Sequence, residues 1–346
     1  MIEIPRCSVM TPELFNSRYK NKRPVILTAT ISDWLPVTTW KPEYLEWALS
    51  EEGAQVKVLV SHDNQHFINH PDVTELVAMP SRDFVSMVFR CSERDENENT
   101  KQRNYKRVYL RTLSMPDRLY RDVIVPKQVT DLAEKIYVEK PGRNLQIYDK
   151  PDCGIEQLVE ESYSSVTQSV DEDPRSVRTT KYGSLVHQTE HYSVADSEDS
   201  DYDSMAESGI SVYPFFRQAT MQLWIGTRGN VTPLHYDRNH GLLAQIVGRK
   251  ELLLFSPEDT SNLYPYPSYS NRSHTSRVNL RELETEGSRF PKLEDAQRYH
   301  CILQPGELLY MPPFWWHDVT SLDDCVSITL PWDLDTSDPI PASMLM

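Results

Sequence analysis

The sequence predicts a mostly β protein with flanking helices, built as an antiparallel barrel or jelly roll whose mouth can hold a small ligand. Three observations predict it. Residues 210 to 332 carry a succession of short apolar runs, ATMQLWIG, LLAQIV, ELLLF, RYHCIL, ELLYM, HDVTS and CVSITL, with no long helix between them. Turn signals at GTRGN, VGRK and QPGE punctuate those runs. Helical patterns are confined to the first 150 residues, where they alternate with further strands.

Taken in order, TPELFNSRY offers Thr11 as an N-cap with Pro12 in the first turn, a helix start. RPVILTAT is a buried strand, KPEYLEWAL an amphipathic helix, AQVKVLV a strand, SRDFVSMVF a helix and KRVYLRTL a strand. Residues 1–150 thus form an N-terminal α+β part and residues 210–346 the β core. Residues 151–209 between them change character. They are rich in Ser and acid and nearly empty of large apolar side chains, so they cannot bury enough surface to offset ordering entropy. A disordered insertion is expected there, with Ser200 in an acidic context as a phosphorylation candidate.

The chain of 346 residues is long enough for one large domain or two small ones, with 39% apolar and 25% charged residues, the balance of a soluble globular protein. No stretch approaches a membrane span, and MIEIPRCSVM carries no basic-then-apolar leader. Cys7, Cys91, Cys153, Cys301 and Cys325 are odd in number, scattered and without CxxC spacing, so neither a disulfide framework nor a zinc cluster is indicated. Reduced thiols in a cytoplasmic or nuclear protein are expected. The net charge of -15 argues against a nucleic-acid partner, but residues 152–208 hold 14 acidic against 3 basic residues, a net of -11, which leaves -4 for the rest.

The chemistry centres on TPLHYDRNHGLLAQIVGRK, residues 232–250. His235 and Asp237 are two residues apart, and in a strand such residues project from one face, within reach of one ion. MPPFWWHDVTS supplies His317 after the PGE turn and a further strand. Two imidazoles and one carboxylate, with other positions left open, are the facial triad of non-haem Fe(II) oxygenases. An isolated HxD is more often a surface strand pair; the barrel strands and the WWH make this one a site. HQTEH (187–191) matches an inverted zinc-peptidase motif, but no helical apolar period surrounds it, and that chemistry needs a helix. His66 and His70 in HFINH flank a turn and are surface residues, and Phe314, Trp315 and Trp316 are packing residues of the barrel wall.

TPLHYD, AQIVGRKELLLFSP, LYPYP, RFPKL, LQPGELLYMPPFWWHDV and SITLPW resemble, in order and spacing, the JmjC or cupin-like family of Fe(II)/2-oxoglutarate dioxygenases. RPVILTATISDW, KPEYLEWAL and YLRTL extend the resemblance to the N-terminal third, with the small JmjC-only hydroxylases, the hypoxia-inducible-factor asparaginyl hydroxylase and the wybutosine tRNA hydroxylase nearest in pattern. The resemblance implies a double-stranded β-helix, with His235, Asp237 and His317 as catalytic metal ligands. It implies that Lys250 grips the C5 carboxylate of 2-oxoglutarate, assisted by the hydroxyls of Thr232 and Tyr109. Two positions depart from the pattern. Gly241 and Pro331 stand where relatives often carry Asn, which removes amide donors near the C1 end of the co-substrate or the O₂ position. The activity implied is hydroxylation of a macromolecule. A protein side chain is the first choice of substrate. A hypermodified tRNA guanosine is second, supported by the basic stretch KQRNYKR (101–107), and histone demethylation third. A non-catalytic scaffold that only binds partners is the reading of another class. A monomer is expected, with O₂ as co-substrate and no membrane association.

Overall fold

The computed structural model describes residues 1–50, 55–62, 67, 73–90, 107–112, 115–123, 125–132, 221–270, 272–283 and 287–345. The acidic insertion, HQTEH, His66, His70, Cys91 and most of KQRNYKR lie outside them. No helix among the described residues is long and apolar enough to cross a membrane.

Fourteen described strands form two sheets: β1 (Ile2–Glu3), β2 (Arg6–Cys7), β3 (Val25–Leu27), β4 (Gln55–Ser61), β5 (Thr74–Pro80), β6 (Val108–Thr112), β7 (Gln222–Gly226), β8 (Val231–Tyr236), β9 (His240–Val247), β10 (Lys250–Phe255), β11 (Tyr299–Leu303), β12 (Leu308–Met311), β13 (Trp316–Ser321) and β14 (Cys325–Trp332). The smaller sheet runs β1-β11-β10-β13-β8 and the larger β2-β3-β12-β9-β14-β7-β6-β4-β5. Consecutive strands of the core alternate between the two sheets except β10 and β11, which pair within the smaller one; the arrangement is that of a jelly roll. Of the N-terminal strands, β1 edges the smaller sheet and β2 to β6 extend the larger one, with β6 pairing β7 from Tyr109↔Gly226 to Thr112↔Leu223.

Period-two alternation sorts the side chains into layers. On β10, Leu252 and Leu254 join Leu243, Leu303, Leu309 and Val319 between the sheets. Leu253 and Phe255 face the other way, packing with Trp316, Leu263, Phe290 and Leu293 under the segment that follows β10. On the larger sheet, Leu242, Ala244, Ile246, Ile328 and Leu330 point outward onto the N-terminal helices. These include α1 (Pro12–Arg18), in which the Thr11 side chain accepts from the Leu14 N–H at 3.2 Å, the cap its sequence predicts. The next, α2 (Leu35–Thr39), is short. In α3 (Pro42–Leu49), Leu45, Ala48 and Leu49 are buried. SRDFVSMVF begins as an α-helix at Ser81–Val85 and continues as a π-turn at Ser86–Arg90.

The three turn signals hold. Gly229, Gly248 and Gly306 all adopt left-handed backbone. At Gly248 the constraint is also steric, because a Cβ there would come within 2.3 Å of the Asp324 carbonyl oxygen. Cys7, Cys301 and Cys325 are free thiols, and burial pushes that of Cys301 up to about 12, so it is inert.

Candidate metal and co-substrate site

The candidate ligands meet where β8 and β13 pair, on the inner face of the smaller sheet. His235 lies directly opposite His317, with ring centroids 4.1 Å apart. Thr232 lies opposite Val319, so three steps along β8 match two along β13. The extra residue is a bulge. Its consequence is that Thr232 and His235, whose odd spacing would place them on opposite faces of a regular strand, both sit opposite residues of the inner face.

Asp237 follows the last residue of β8 rather than lying within it. Its carbonyl accepts from the Phe314 N–H at 2.7 Å, and Phe314 itself has a left-handed φ of 66°. That turn ties the end of β8 to PPFWW. Ligand atoms of His235, Asp237 and His317 all lie within 4.8 Å of one another, and His317 Nε2 is 3.8 Å from Asp237 Oδ2.

The tautomers fit a metal. His235 Nδ1 is 2.7 Å from the Pro233 carbonyl oxygen and His317 Nδ1 is 3.0 Å from that of Trp315. A carbonyl only accepts, so both Nδ1 atoms carry protons and both Nε2 atoms present lone pairs. Charge states agree. Burial, reinforced by the neighbouring His317 and opposed by Asp237, pulls His235 down to about 3, which keeps it neutral. The walls of the hollow partly desolvate the Asp237 carboxyl, which pushes it up, but the imidazoles and Arg111 around it outweigh that and hold the group below the ordinary carboxylate range. With 56% of its side chain exposed, Asp237 faces the open hollow rather than packed neighbours. Two imidazoles and one carboxylate, converging but not closed around a centre, suit a divalent ion with open positions.

Lys250 is 3% exposed, at the start of β10 between Leu303 of β11 and Ser321 of β13. Its side chain points inward with Leu252 and Leu254. It makes no ion pair and no hydrogen bond among the described residues. A buried cation without a partner is costly unless an anion arrives to meet it, so the site fits a carboxylate. Tyr109 is buried on β6, its ring 5.6 Å from that of Trp224 and 5.9 Å from that of Phe67. Its flanking residues Val108 and Leu110 belong to the outer core, which places Tyr109 on the inner face. Thr232 is buried as well.

Other residues at the site were not apparent from the sequence. Gly226 sits opposite Tyr109, where a Cβ would fall 2.5 Å from Asn230 Nδ2 and 2.6 Å from Tyr109 Cδ2; only glycine lets the ring lie flat. Asp318, next to His317, is buried and clasped by Arg281 through bonds of 2.9 and 2.6 Å, with Arg281 also donating to Thr320. That fork pins the segment after β10 against β13, while a bridge between His235 and Thr275 fixes it to β8. No motif marks Asp318 or Arg281, because their pairing spans 37 residues.

Comparison with known proteins agrees with this geometry. Jumonji C domain-containing protein 5 of Drosophila melanogaster is 40% identical over 113 residues, 33% of this chain and 27% of that protein. Lysine-specific demethylase JMJ30 of Arabidopsis thaliana is 42% identical over 114 residues, 33% of this chain and 26% of that one. Human HSPB1-associated protein 1 is 43% identical over 104 residues, 29% and 21% of the two chains. The matched stretches thus span about a quarter of the length of these relatives. Residues 11–337 match the cupin-like domain as a whole. With the two-sheet barrel and the His-Asp-His cluster in its mouth, that match establishes that the chain belongs to the cupin-like JmjC family, whose members use Fe(II) and 2-oxoglutarate.

Proposed function

We propose that this protein is an Fe(II)- and 2-oxoglutarate-dependent oxygenase that hydroxylates a macromolecular substrate, a protein side chain first. The observation that carries the reading is the convergence of His235, Asp237 and His317 on one open centre, in a hollow that also holds Lys250, a buried cation with no partner among the described residues. When bound, Fe(II) with 2-oxoglutarate supplies the chemistry that splits O₂ between a substrate C–H bond, giving the alcohol, and the co-substrate, giving succinate and CO₂.

The chain's own residues do the rest. His235 and His317 are locked in the ligating tautomer by the Pro233 and Trp315 carbonyls, so no reorientation is needed on binding. Asp237 provides the anionic ligand and, at the end of its strand, leaves the solvent side of the centre open to substrate. Lys250, Thr232 and Tyr109 take the distal carboxylate, Lys250 by charge and the hydroxyls by donation. The apolar wall of Leu252, Leu254 and Val319 keeps water from the inner end of the hollow.

A protein substrate is favoured because one of the relatives above is named a lysine-specific demethylase, and removal of an N-methyl group by this chemistry also begins with C–H hydroxylation. Succinate release with Fe(II), offered peptide pools and total tRNA in parallel, tests the reading. Release stimulated by peptides supports it. Stimulation by tRNA alone moves the substrate to RNA, and no 2-oxoglutarate turnover under any condition favours a binding scaffold.

A further inference from the structure

A second cation faces the same hollow from the opposite sheet. Arg111 lies two residues after Tyr109 on β6, and Leu110 between them packs into the outer core, so Arg111 shares the inner face with Tyr109. Its guanidinium stands 5.1 Å from the centre of the Trp224 ring. Trp224 is directly opposite on β7 and is itself fixed by its indole N–H, which donates to Thr329 Oγ1 at 2.9 Å. The guanidinium is therefore held in place by stacking. It makes no hydrogen bond and no ion pair among the described residues, and its Nε is shielded from solvent without an acceptor. It also lies within electrostatic reach of Asp237.

Buried donors of this strength are rarely left unmet. Nor do two facing positions of the adjoining wall offer a competing side-chain donor. Gly241 and Pro331 face each other across β9 and β14 on the inner side, one without a side chain and the other without an N–H. A Cβ at Gly241 would touch only the Met311 methyl, at 3.9 Å, so there is room beside them. We propose that Arg111 is a second carboxylate-binding residue of the hollow, facing Lys250 from the other sheet and receiving an acid group next to the metal centre. This rests on the oxygenase reading for the identity of the hollow. The carboxylate can come from either of two sources, the C1 end of 2-oxoglutarate or an acidic side chain of the substrate, and both require the planar fork that arginine supplies and glutamine lacks.

The test compares wild type, Arg111→Gln and Arg111→Lys, each loaded with Mn(II), by calorimetric titration with 2-oxoglutarate. Penta-aspartate and penta-asparagine peptides are titrated in a second arm, with and without 2-oxoglutarate present. Losing a charge-assisted contact of about 1.5 to 3 kcal/mol weakens binding about 10- to 150-fold. Arg111→Gln is expected to lose that much for at least one carboxylate ligand, with Arg111→Lys intermediate. Loss for 2-oxoglutarate assigns the C1 carboxylate, whereas loss confined to penta-aspartate, with penta-asparagine unaffected, assigns a substrate acid. Unchanged affinity in both arms overturns the proposal, as does an Arg111→Gln protein that no longer folds, since Arg111 would then be a structural residue. Failure of the wild type itself to bind 2-oxoglutarate refutes the oxygenase reading instead, and the peptide arm without co-substrate still decides Arg111.

Discussion

Replacing Lys250 by methionine separates a 2-oxoglutarate site from a generic metal-binding barrel. Lys250 is 3% exposed and has no counter-ion among the described residues, so its charge is matched when a ligand carboxylate arrives. A charge-assisted hydrogen bond contributes about 1.5 to 3 kcal/mol, and truncating one partner of a buried pair costs about 3 to 5. At about 1.4 kcal/mol per tenfold, Lys250→Met should weaken 2-oxoglutarate by about 10- to 1000-fold. Methionine keeps the length and apolar stem that pack with Leu252, and it removes an unmatched buried charge. The ligand-free protein should therefore melt no lower than wild type, while the rise in melting temperature caused by 2-oxoglutarate should vanish. Metal affinity should be unchanged, because Lys250 is not among the ligands. Calorimetry on the metal-loaded protein reads the first effect and thermal melts the second. Equal 2-oxoglutarate affinity in both proteins would refute the assignment of the anchor.

Further outcomes follow from packing and charge. Gly226→Ala forces a Cβ into contacts of 2.5 and 2.6 Å with Asn230 and Tyr109, so it should cost about 1 to 3 kcal/mol in urea unfolding and weaken 2-oxoglutarate by displacing Tyr109. Arg281→Met leaves the Asp318 carboxylate buried and unpaired and should cost about 3 kcal/mol, seen as a lower unfolding midpoint; a change within error would mean that water replaces the guanidinium. His240 lies in a buried chain, 3.0 Å from the Tyr310 hydroxyl and 3.1 Å from Asp338, with its ring stacked on Trp332. Burial lowers its pKa despite Asp338, so the unfolded chain takes up a proton at higher pH than the fold does. Its contribution is thus full above the unfolded value of about 6.5 and is lost as pH falls from there through the folded value. His240→Gln should flatten that part of the stability profile of the metal-free protein, and an unaltered acid limb would contradict it.

The strand pattern of the core was legible because glycine turns punctuate its apolar runs, and each run quoted for it overlaps an observed strand. Less legible was β8, which carries the first ligand. It reads VTPLHY, broken by Pro233, and its face assignment depends on a bulge visible only against β13. TELVAMP (β5) was missed because it is an edge strand with mostly exposed side chains, pairing β4 alone. LPVTT, a single helical turn after Trp34, was too short for a period to show. The candidate His-Asp-His cluster could be read from HxD and a distant His because ligand chemistry restricts residue type. The Arg281–Asp318 clasp and the Arg111–Trp224 stack could not, since ordinary surface arginines look the same in a sequence. The expected packing role of Phe314, Trp315 and Trp316 holds, all three being buried.

Anaerobic equilibrium dialysis of Fe(II) against wild type and Asp237→Ala, with and without 2-oxoglutarate, tests the metal and co-substrate site most directly. The structure predicts one ferrous ion per wild-type chain, 2-oxoglutarate retained only when the metal is present, and a steep loss of iron in Asp237→Ala with the fold intact by circular dichroism. Iron retained by Asp237→Ala with wild-type affinity would place the metal elsewhere and contradict the account.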